Sequence, residues 1–304
     1  MVTVYLGTTE FAVAVLRRLA RSDHRPALVI TRPDRPGGRG RKLRSPPVAE
    51  AARELEIELD QPESVNAPAA RERIAAARPE AVCICAFGAL IKAPLLSQYE
   101  MFNVHPSLLP RWRGAAPVER AIQAGDPHTG VSIMRPVAEL DAGPVYLGGT
   151  EPIAPDDDYG SLAPRLAQLS GELLVRALGE RPKPEPQSDQ GVTYADKIER
   201  TERQLDPLRP AADLARTVRA FTPHVGAFVA LEGEERLGVR RARALADDGP
   251  PAGSLEEVGG RLLLGTAQGA LELLEVQPPG GRAMDAGAYL RGRVRSNRQD
   301  AHHG

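Results

Sequence analysis

Apolar positions in the first ninety residues switch between two periods. Residues 2–6 form a short apolar run that breaks at Gly7, and Ala12, Val15, Leu16 and Leu19 then fall at i, i+3, i+4 and i+7, one face of a helix. The alternation repeats: 27–31 reads as a strand, 48–55 as a helix, 68–77 as a helix with proline in its first turn, and 81–86 as a buried strand. Such alternation of strand and helix predicts a parallel sheet covered on both faces.

Residues 102–104 continue the pattern as a strand stopped by Pro106, and a helix is expected from Pro117. Short strands follow at 131–134 and 145–150, then a long helix with Leu162, Leu166, Leu169 and Leu173 on one stripe. At 181–191 the texture changes to RPKPEPQSDQG, polar and proline-rich, the composition of an extended linker. A helix through Leu214, Val218 and Phe221 lies beyond it. Short strands at 227–231, 237–244, 261–264 and 270–276, parted by turns with Gly and Asp, predict a small barrel or sandwich. The expected organisation is an α/β domain over 1–183, a linker over 184–204 and a β domain over 205–304.

Composition narrows the class. With 42% hydrophobic and 26% charged residues among 304, disorder is excluded, and 29 Gly with 28 Pro show no triplet period, which excludes a collagen-like fibre. A net charge of −1 removes any whole-chain argument for a nucleic-acid partner, so such a case rests on local clusters. Cys83 and Cys85 sit two apart on one strand face, where they cannot readily bond each other, and read as buried free thiols of a reducing compartment. The first ten residues show no basic segment leading into an apolar core, and no run of about eighteen apolar residues occurs; the expectation is a cytoplasmic, unanchored protein.

The first strand-to-helix turn is Gly7-Thr8-Thr9-Glu10-Phe11. A single glycine there does not build the G-x-G-x-x-G cradle that lets backbone approach a pyrophosphate, Glu10 places negative charge beside it, and no G-x-x-x-x-G-K-[ST] occurs. NAD and ATP are therefore not expected at this turn. Candidate chemistry lies elsewhere. Asn103 and His105, two apart at a strand end, share one face of the sheet and aim an amide and an imidazole beyond its carboxyl edge, where open α/β sheets bind ligands. On spacing alone, ordinary turn hydrogen bonding is the favoured reading of the pair. Asp141, alone, reads as a turn aspartate beside Gly143. From residue 32 to residue 44, Arg32, Arg35, Arg39, Arg41, Lys42 and Arg44 face only one acid, Asp34, and Gly37, Gly38 and Gly40 loosen the segment, so it reads as a phosphate-binding arm or as a solvated basic loop.

The stretch NVHPSLLPRWRGAAPVERAI from Asn103 to Ile122, with TGVSIM at 129–134 and LDAGPV at 140–145, resembles the methionyl-tRNA formyltransferase family, a branch of the folate-dependent formyltransferases. The likeness extends to YLGTTEFA at 5–12, PDRPGGRGRKL at 33–43, TYADKI at 193–198, and the segments 218–228 and 280–293. It implies a Rossmann-like, doubly wound, mostly parallel sheet with a C-terminal OB-like β-barrel. It further implies 10-formyltetrahydrofolate as formyl donor, the α-amine of initiator methionyl-tRNA as acceptor, and Asn103, His105 and Asp141 as catalytic residues. The folate is expected along Phe87, Gly88, Ala89, Leu90 and Ile91 and along Ser107, Leu108, Leu109 and Pro110, although Phe87, Ala89, Lys92, Ala142 and Pro144 depart from the family's usual residues. Arg35, Arg39, Arg41 and Lys42 are expected on the tRNA acceptor end. Trp112 and Arg113 are placed at the site entrance, with core packing as the alternative for Trp112.

The resemblance implies no metal, and the spacing of His105, His128 and Asp141 is not that of metal ligands. It also implies no membrane partner and a monomeric chain. In the β domain, Arg240, Arg241, Arg243, Arg291, Arg293, Arg295 and Arg298 are open to phosphate contact, with solvated surface as the default. Formyl transfer to another amine, such as an amino sugar or glycinamide nucleotide, and a silent RNA-binding protein remain the rival readings.

Overall fold

In the computed structural model of the chain, residues 1–37, 42–231, 235–246 and 249–292 are described. The chain runs β1 (Thr3–Gly7), α1 (Glu10–Ala20), β2 (Pro26–Ile30), β3 (Arg35–Gly37), β4 (Lys42–Arg44), α2 (Pro47–Glu54), β5 (Glu58–Asp60), α3 (Pro68–Ala76), β6 (Ala81–Cys85), α4 (Leu95–Gln98) and β7 (Met101–His105). It continues through β8 (Arg113–Gly114), α5 (Pro117–Ala124), β9 (His128–Met134), β10 (Val145–Pro152), α6 (Tyr159–Glu180) and β11 (Tyr194–Ala195). Helix α7 (Ala211–Phe221) and strands β12 (Ala227–Ala230), β13 (Arg236–Leu245), β14 (Leu255–Val258), β15 (Arg261–Gly265), β16 (Ala270–Gln277) and β17 (Met284–Asp285) complete it.

Seven strands form the main sheet in the order β10-β9-β7-β6-β1-β2-β5. The five from β7 to β5 are parallel, and β9 and β10 add antiparallel pairs at one side, so the sheet is mostly parallel as the alternation predicts. Period-two alternation sends Val4 and Leu6, Leu28 and Ile30, and Val82 and Ile84 to one face, where they pack with Val65, Ile74, Leu95 and Met101. Each such fully buried aliphatic contributes roughly 1.5–3 kcal/mol. On the opposite face the Tyr5 hydroxyl donates to the Ala12 carbonyl of α1 at 2.7 Å. The four apolar residues of α1 that set its predicted face, Ala12, Val15, Leu16 and Leu19, are all fully buried. Thr9 caps this helix, its hydroxyl accepting from the Ala12 N–H at 3.4 Å. Cys83 and Cys85 are buried free thiols on β6, and burial pushes Cys85 up to about 12 and Cys83 higher still.

Contacts divide the chain into two units: one of Met1–Pro117, His128–Pro152 and Ala163–Ala195, the other of Val118–Pro127, Ile153–Leu162 and the chain from Asp196 on. The second holds an antiparallel sheet, β12-β13-β16-β15-β14, with β17 on β16, and α7 buries Leu214, Val218 and Phe221 as its sequence stripe predicts. Among the described residues, no helix is long and apolar enough to cross a membrane.

Candidate active site

Strand β7 delivers Asn103 and His105 to its carboxyl end, paired across to Met134 and Ser132 of β9. The His105 side chain is nearly buried. Its Nε2 lies 2.8 Å from the Trp112 carbonyl, which only accepts, so Nε2 carries a proton. Its Nδ1 lies 3.6 Å from Asp141 Oδ2, and that carboxylate oxygen also accepts the Gly114 N–H at 3.0 Å. Both ring nitrogens thus face oxygen acceptors, the Nε2 contact within hydrogen-bond reach and the Nδ1 contact longer.

Asn103 stands half-buried beside this pair and donates through Nδ2 to the Met134 thioether at 3.5 Å. Sulfur is a weak acceptor, so the carboxamide keeps most of its hydrogen-bonding capacity for another partner. Met134 also reaches the Asp141 loop: a Cβ on Gly143 would lie 3.2 Å from Met134 Cε.

The loop carrying Asp141 is tightly fixed. Asp141 adopts φ +47°, a left-handed conformation uncommon outside glycine. Two residues on, Gly143 runs so close to the Arg135 carbonyl that a Cβ there would lie 1.8 Å from its oxygen, and the Arg135 N–H donates to the Pro144 carbonyl at 2.9 Å. Gly114, whose N–H holds Asp141, has φ +127° and would place a Cβ 2.6 Å from the Ala195 carbonyl oxygen. Both glycines are therefore required by close approach of backbone.

Arg113 corrects the expectation of an entrance residue: it is buried, and its Nε and Nη2 donate to Gln187 Oε1 at 3.0 and 2.8 Å. Trp112 is half-buried and contributes its carbonyl to His105. Gln187 escaped sequence reading because its partners lie more than forty residues away, and nothing local marks it.

The segments expected to line the folate follow adjacent parallel strands. After β6, Phe87 and Ile91 are buried, Ala89 is half-buried, and Gly88 and Leu90 are exposed. The Thr8 hydroxyl donates to the Phe87 carbonyl at 2.8 Å, and Asn66 Nδ2 donates to the Leu90 carbonyl at 2.8 Å, which fixes both ends of this turn. After β7, Ser107 is buried and donates to the Arg111 carbonyl at 2.6 Å. Ser132 ties the same turn to β9, donating to the Ser107 carbonyl at 2.8 Å and accepting the Leu109 N–H at 3.1 Å. Leu108 and Pro110 are half-buried.

The basic segment forms a hairpin that the sequence did not predict, with Arg35 opposite Arg44, Pro36 opposite Leu43 and Gly37 opposite Lys42. Arg39 and Arg41 lie outside the described residues, and Lys42 is described for its backbone alone. Arg35 pairs with Glu63 at 2.8 Å, both exposed. At the hairpin base, Gln61 Nε2 and the Ser45 hydroxyl donate to Asp34 at 2.7 and 3.0 Å, bonds that with Arg53 nearby lower the pKa of its carboxyl. In the second unit Arg243 pairs with Glu272 at 2.6 Å and Arg240 donates to Gln277 at 2.6 Å, while Arg293, Arg295 and Arg298 lie outside the described residues. Among the described residues no group of three His, Cys, Asp or Glu is gathered as a metal site.

Residues 1–178 match the family described as formyl transferase, and residues 197–294 match the formyl transferase C-terminal domain. The methionyl-tRNA formyltransferase of Methylobacillus flagellatus is 42% identical over 299 residues, covering 96% of each chain. That of Halorhodospira halophila is 44% identical, covering 95% of this chain and 96% of its own. Among solved structures, HypX from Aquifex aeolicus in complex with tetrahydrofolic acid shares the fold with TM-score 0.65 at 18% identity, over 95% of this chain and 46% of that one. The methionyl-tRNA formyltransferase from Clostridium thermocellum does so with TM-score 0.57 at 13% identity, over 81% of this chain and 94% of that one. With both domains matched in order and such identity sustained from end to end, this chain belongs to the methionyl-tRNA formyltransferase family.

Proposed function

We propose that this chain transfers the formyl group of 10-formyltetrahydrofolate to the α-amine of initiator methionyl-tRNA, acting in the cytoplasm as a monomer. The observation that carries the reading is the pair of buried His105 and half-buried Asp141, 3.6 Å apart at the carboxyl edge of β7, beside an Asn103 amide with donor capacity to spare. In the reaction the neutral amine attacks the formyl carbon, a carbon–nitrogen bond forms, the bond from that carbon to folate N10 breaks, and the amine proton passes to N10. Negative charge gathers on the formyl oxygen in between, and Asn103 Nδ2 is the donor positioned to receive it. His105, set between a carboxylate and a carbonyl, exchanges protons with the amine or the leaving nitrogen, directly or through water. Asp141 orients the ring.

Phe87, Gly88, Ala89, Leu90 and Ile91, with Ser107, Leu108, Leu109 and Pro110, form the two turns flanking this edge and are proposed to receive the folate. Arg35, Arg39, Arg41 and Lys42 are proposed to meet the tRNA backbone, and the domain over 205–304, as an OB-like barrel joined through 184–204 to the catalytic domain over 1–183, to carry further tRNA contacts. The test is direct formylation of methionyl-charged initiator tRNA with 10-formyltetrahydrofolate, alongside Asp141→Ala. Formylated methionyl-tRNA from the wild type and near-complete loss in a folded Asp141→Ala variant are expected. Formylation of a nucleotide-linked amino sugar with none of the tRNA would replace the reading.

A further inference from the structure

The segment after α6 is polar and proline-rich, yet it is bound closely to the candidate site. Glu185 and Val145 exchange two backbone hydrogen bonds, at 2.8 and 2.9 Å. The Thr193 hydroxyl accepts the Trp112 N–H at 2.9 Å, the Thr193 carbonyl accepts the Arg113 N–H at 2.9 Å, and β11 pairs in parallel with β8. Between these anchors lies Gln187. Its Nε2 donates to the carbonyls of Asp141 and Gly143, both at 2.7 Å, while its Oε1 accepts two bonds from buried Arg113. Arg113 offers only N–H groups and the loop offers only carbonyls, so the carboxamide has a single orientation that satisfies all four bonds. Two donors and two acceptors exhaust what a glutamine has.

We infer that Gln187 is a positioning residue for formyl transfer: it clamps the backbone on both sides of Ala142 and so holds the Asp141 carboxylate against His105. The inference rests on the catalytic reading given above. Asp141 sits in a left-handed conformation that costs free energy and persists only where its surroundings enforce it. The Gln187 carboxamide grips the carbonyl of that residue itself, and Gly114 grips its side chain. No other amino acid of this size both donates twice and accepts twice. Glutamate keeps the shape and strengthens the bond to Arg113, but turns an acceptor oxygen in place of Nε2 toward the two carbonyls.

Gln187→Glu therefore separates clamping of the loop from anchoring of the segment, and Gln187→Ala removes both. For the folded Gln187→Glu variant, kcat for methionyl-tRNA formylation is expected to fall about 10- to 100-fold, with KM for both substrates within about twofold. In an Asp141→Asn background the same change should cost less than about twofold, because the group through which it acts is already lost. The imidazole 15N signals of His105 in Gln187→Glu should move toward those of Asp141→Asn. Full kcat in Gln187→Glu, losses that multiply in the double variant, or a loss carried by KM would each overturn the inference. If Gln187→Ala does not fold, Gln187→Glu still decides, since it retains the Arg113 contact. A wild type unable to formylate methionyl-tRNA would remove the proposed function, while the His105 signals would still decide whether Gln187 sets the position of Asp141.

Discussion

Gly143→Ala is the sharpest perturbation the Asp141 loop offers, because it alters no functional group. The added Cβ would lie 1.8 Å from the Arg135 carbonyl oxygen, backbone that cannot rotate aside. The two chains must separate by about 1 Å or more before such a contact becomes tolerable. That separation strains the Arg135 to Pro144 hydrogen bond and shifts the Gly143 carbonyl held by Gln187, two residues from Asp141. A carboxylate already 3.6 Å from the imidazole has no reserve against such a shift. Misplacement by about 1 Å costs roughly 100-fold in rate, and overpacking of this kind costs about 1–3 kcal/mol of stability. Single-turnover formylation with saturating tRNA and folate, together with a thermal melt, reads both effects. Gly148→Ala in β10 is the control, since its Cβ would meet only the Val131 carbonyl oxygen at 3.7 Å and should change neither quantity. A folded Gly143→Ala variant with single-turnover rates within threefold of wild type would refute the reasoning.

Asn103→Ala should fold normally and lose about 100- to 1000-fold in kcat, read by steady-state formylation, because it deletes the oxyanion donor. Arg39→Ala should lower kcat/KM for charged tRNA with the KM for folate unchanged; an unaltered kcat/KM would take this arginine out of the tRNA contact. Glu202 accepts from Arg120 at 3.0 Å, and that bond holds its carboxyl below the ordinary value. Its stabilising effect is present above the unfolded value near 4.5 and is lost as pH falls through the lower folded value. The melting deficit of Glu202→Gln, about 1 kcal/mol for a partly exposed pair, should thus be present at pH 7 and disappear in strong acid, and a deficit independent of pH would contradict it. Cys83 and Cys85, buried and with thiols shifted upward, should resist iodoacetamide in the native protein at pH 8 and react once denaturant is added, as counted by mass spectrometry.

What the sequence disclosed follows from where apolar residues are concentrated. Strands β1 and β6 are buried along their whole length and read as mainly apolar runs, β2 and β7 depart from this only at exposed Ala27 and half-buried Asn103, and α1, α2, α3 and α7 show their buried stripe. Strand β5, Glu-Leu-Asp at the sheet edge, and β14, Leu-Glu-Glu-Val, escaped because an edge strand is held by backbone pairing on one side and needs few apolar side chains. The β3–β4 hairpin escaped because its strands are built from arginine, proline, glycine and lysine with Leu43 as the one aliphatic residue in them. At the site, the alternation along β7 and the family likeness gave Asn103, His105 and Asp141. The left-handed backbone at Trp112 and Asp141, and the burial of Arg113 against Gln187, depend on contacts between segments up to 81 residues apart, which no local pattern encodes.

The strand pairing of β8 with β11 bears on how this polypeptide can be divided. Composition invites a cut near residue 183, where proline and charge begin. A fragment ending there would forfeit Glu185, Gln187 and Thr193, and with them the bonds that segment 185–193 makes to Val145, to Trp112 and Arg113, and to the Asp141 loop. Modular transplantation of the N-terminal half onto another partner must therefore carry the chain through Ala195, so that the tether travels with the chemistry it braces.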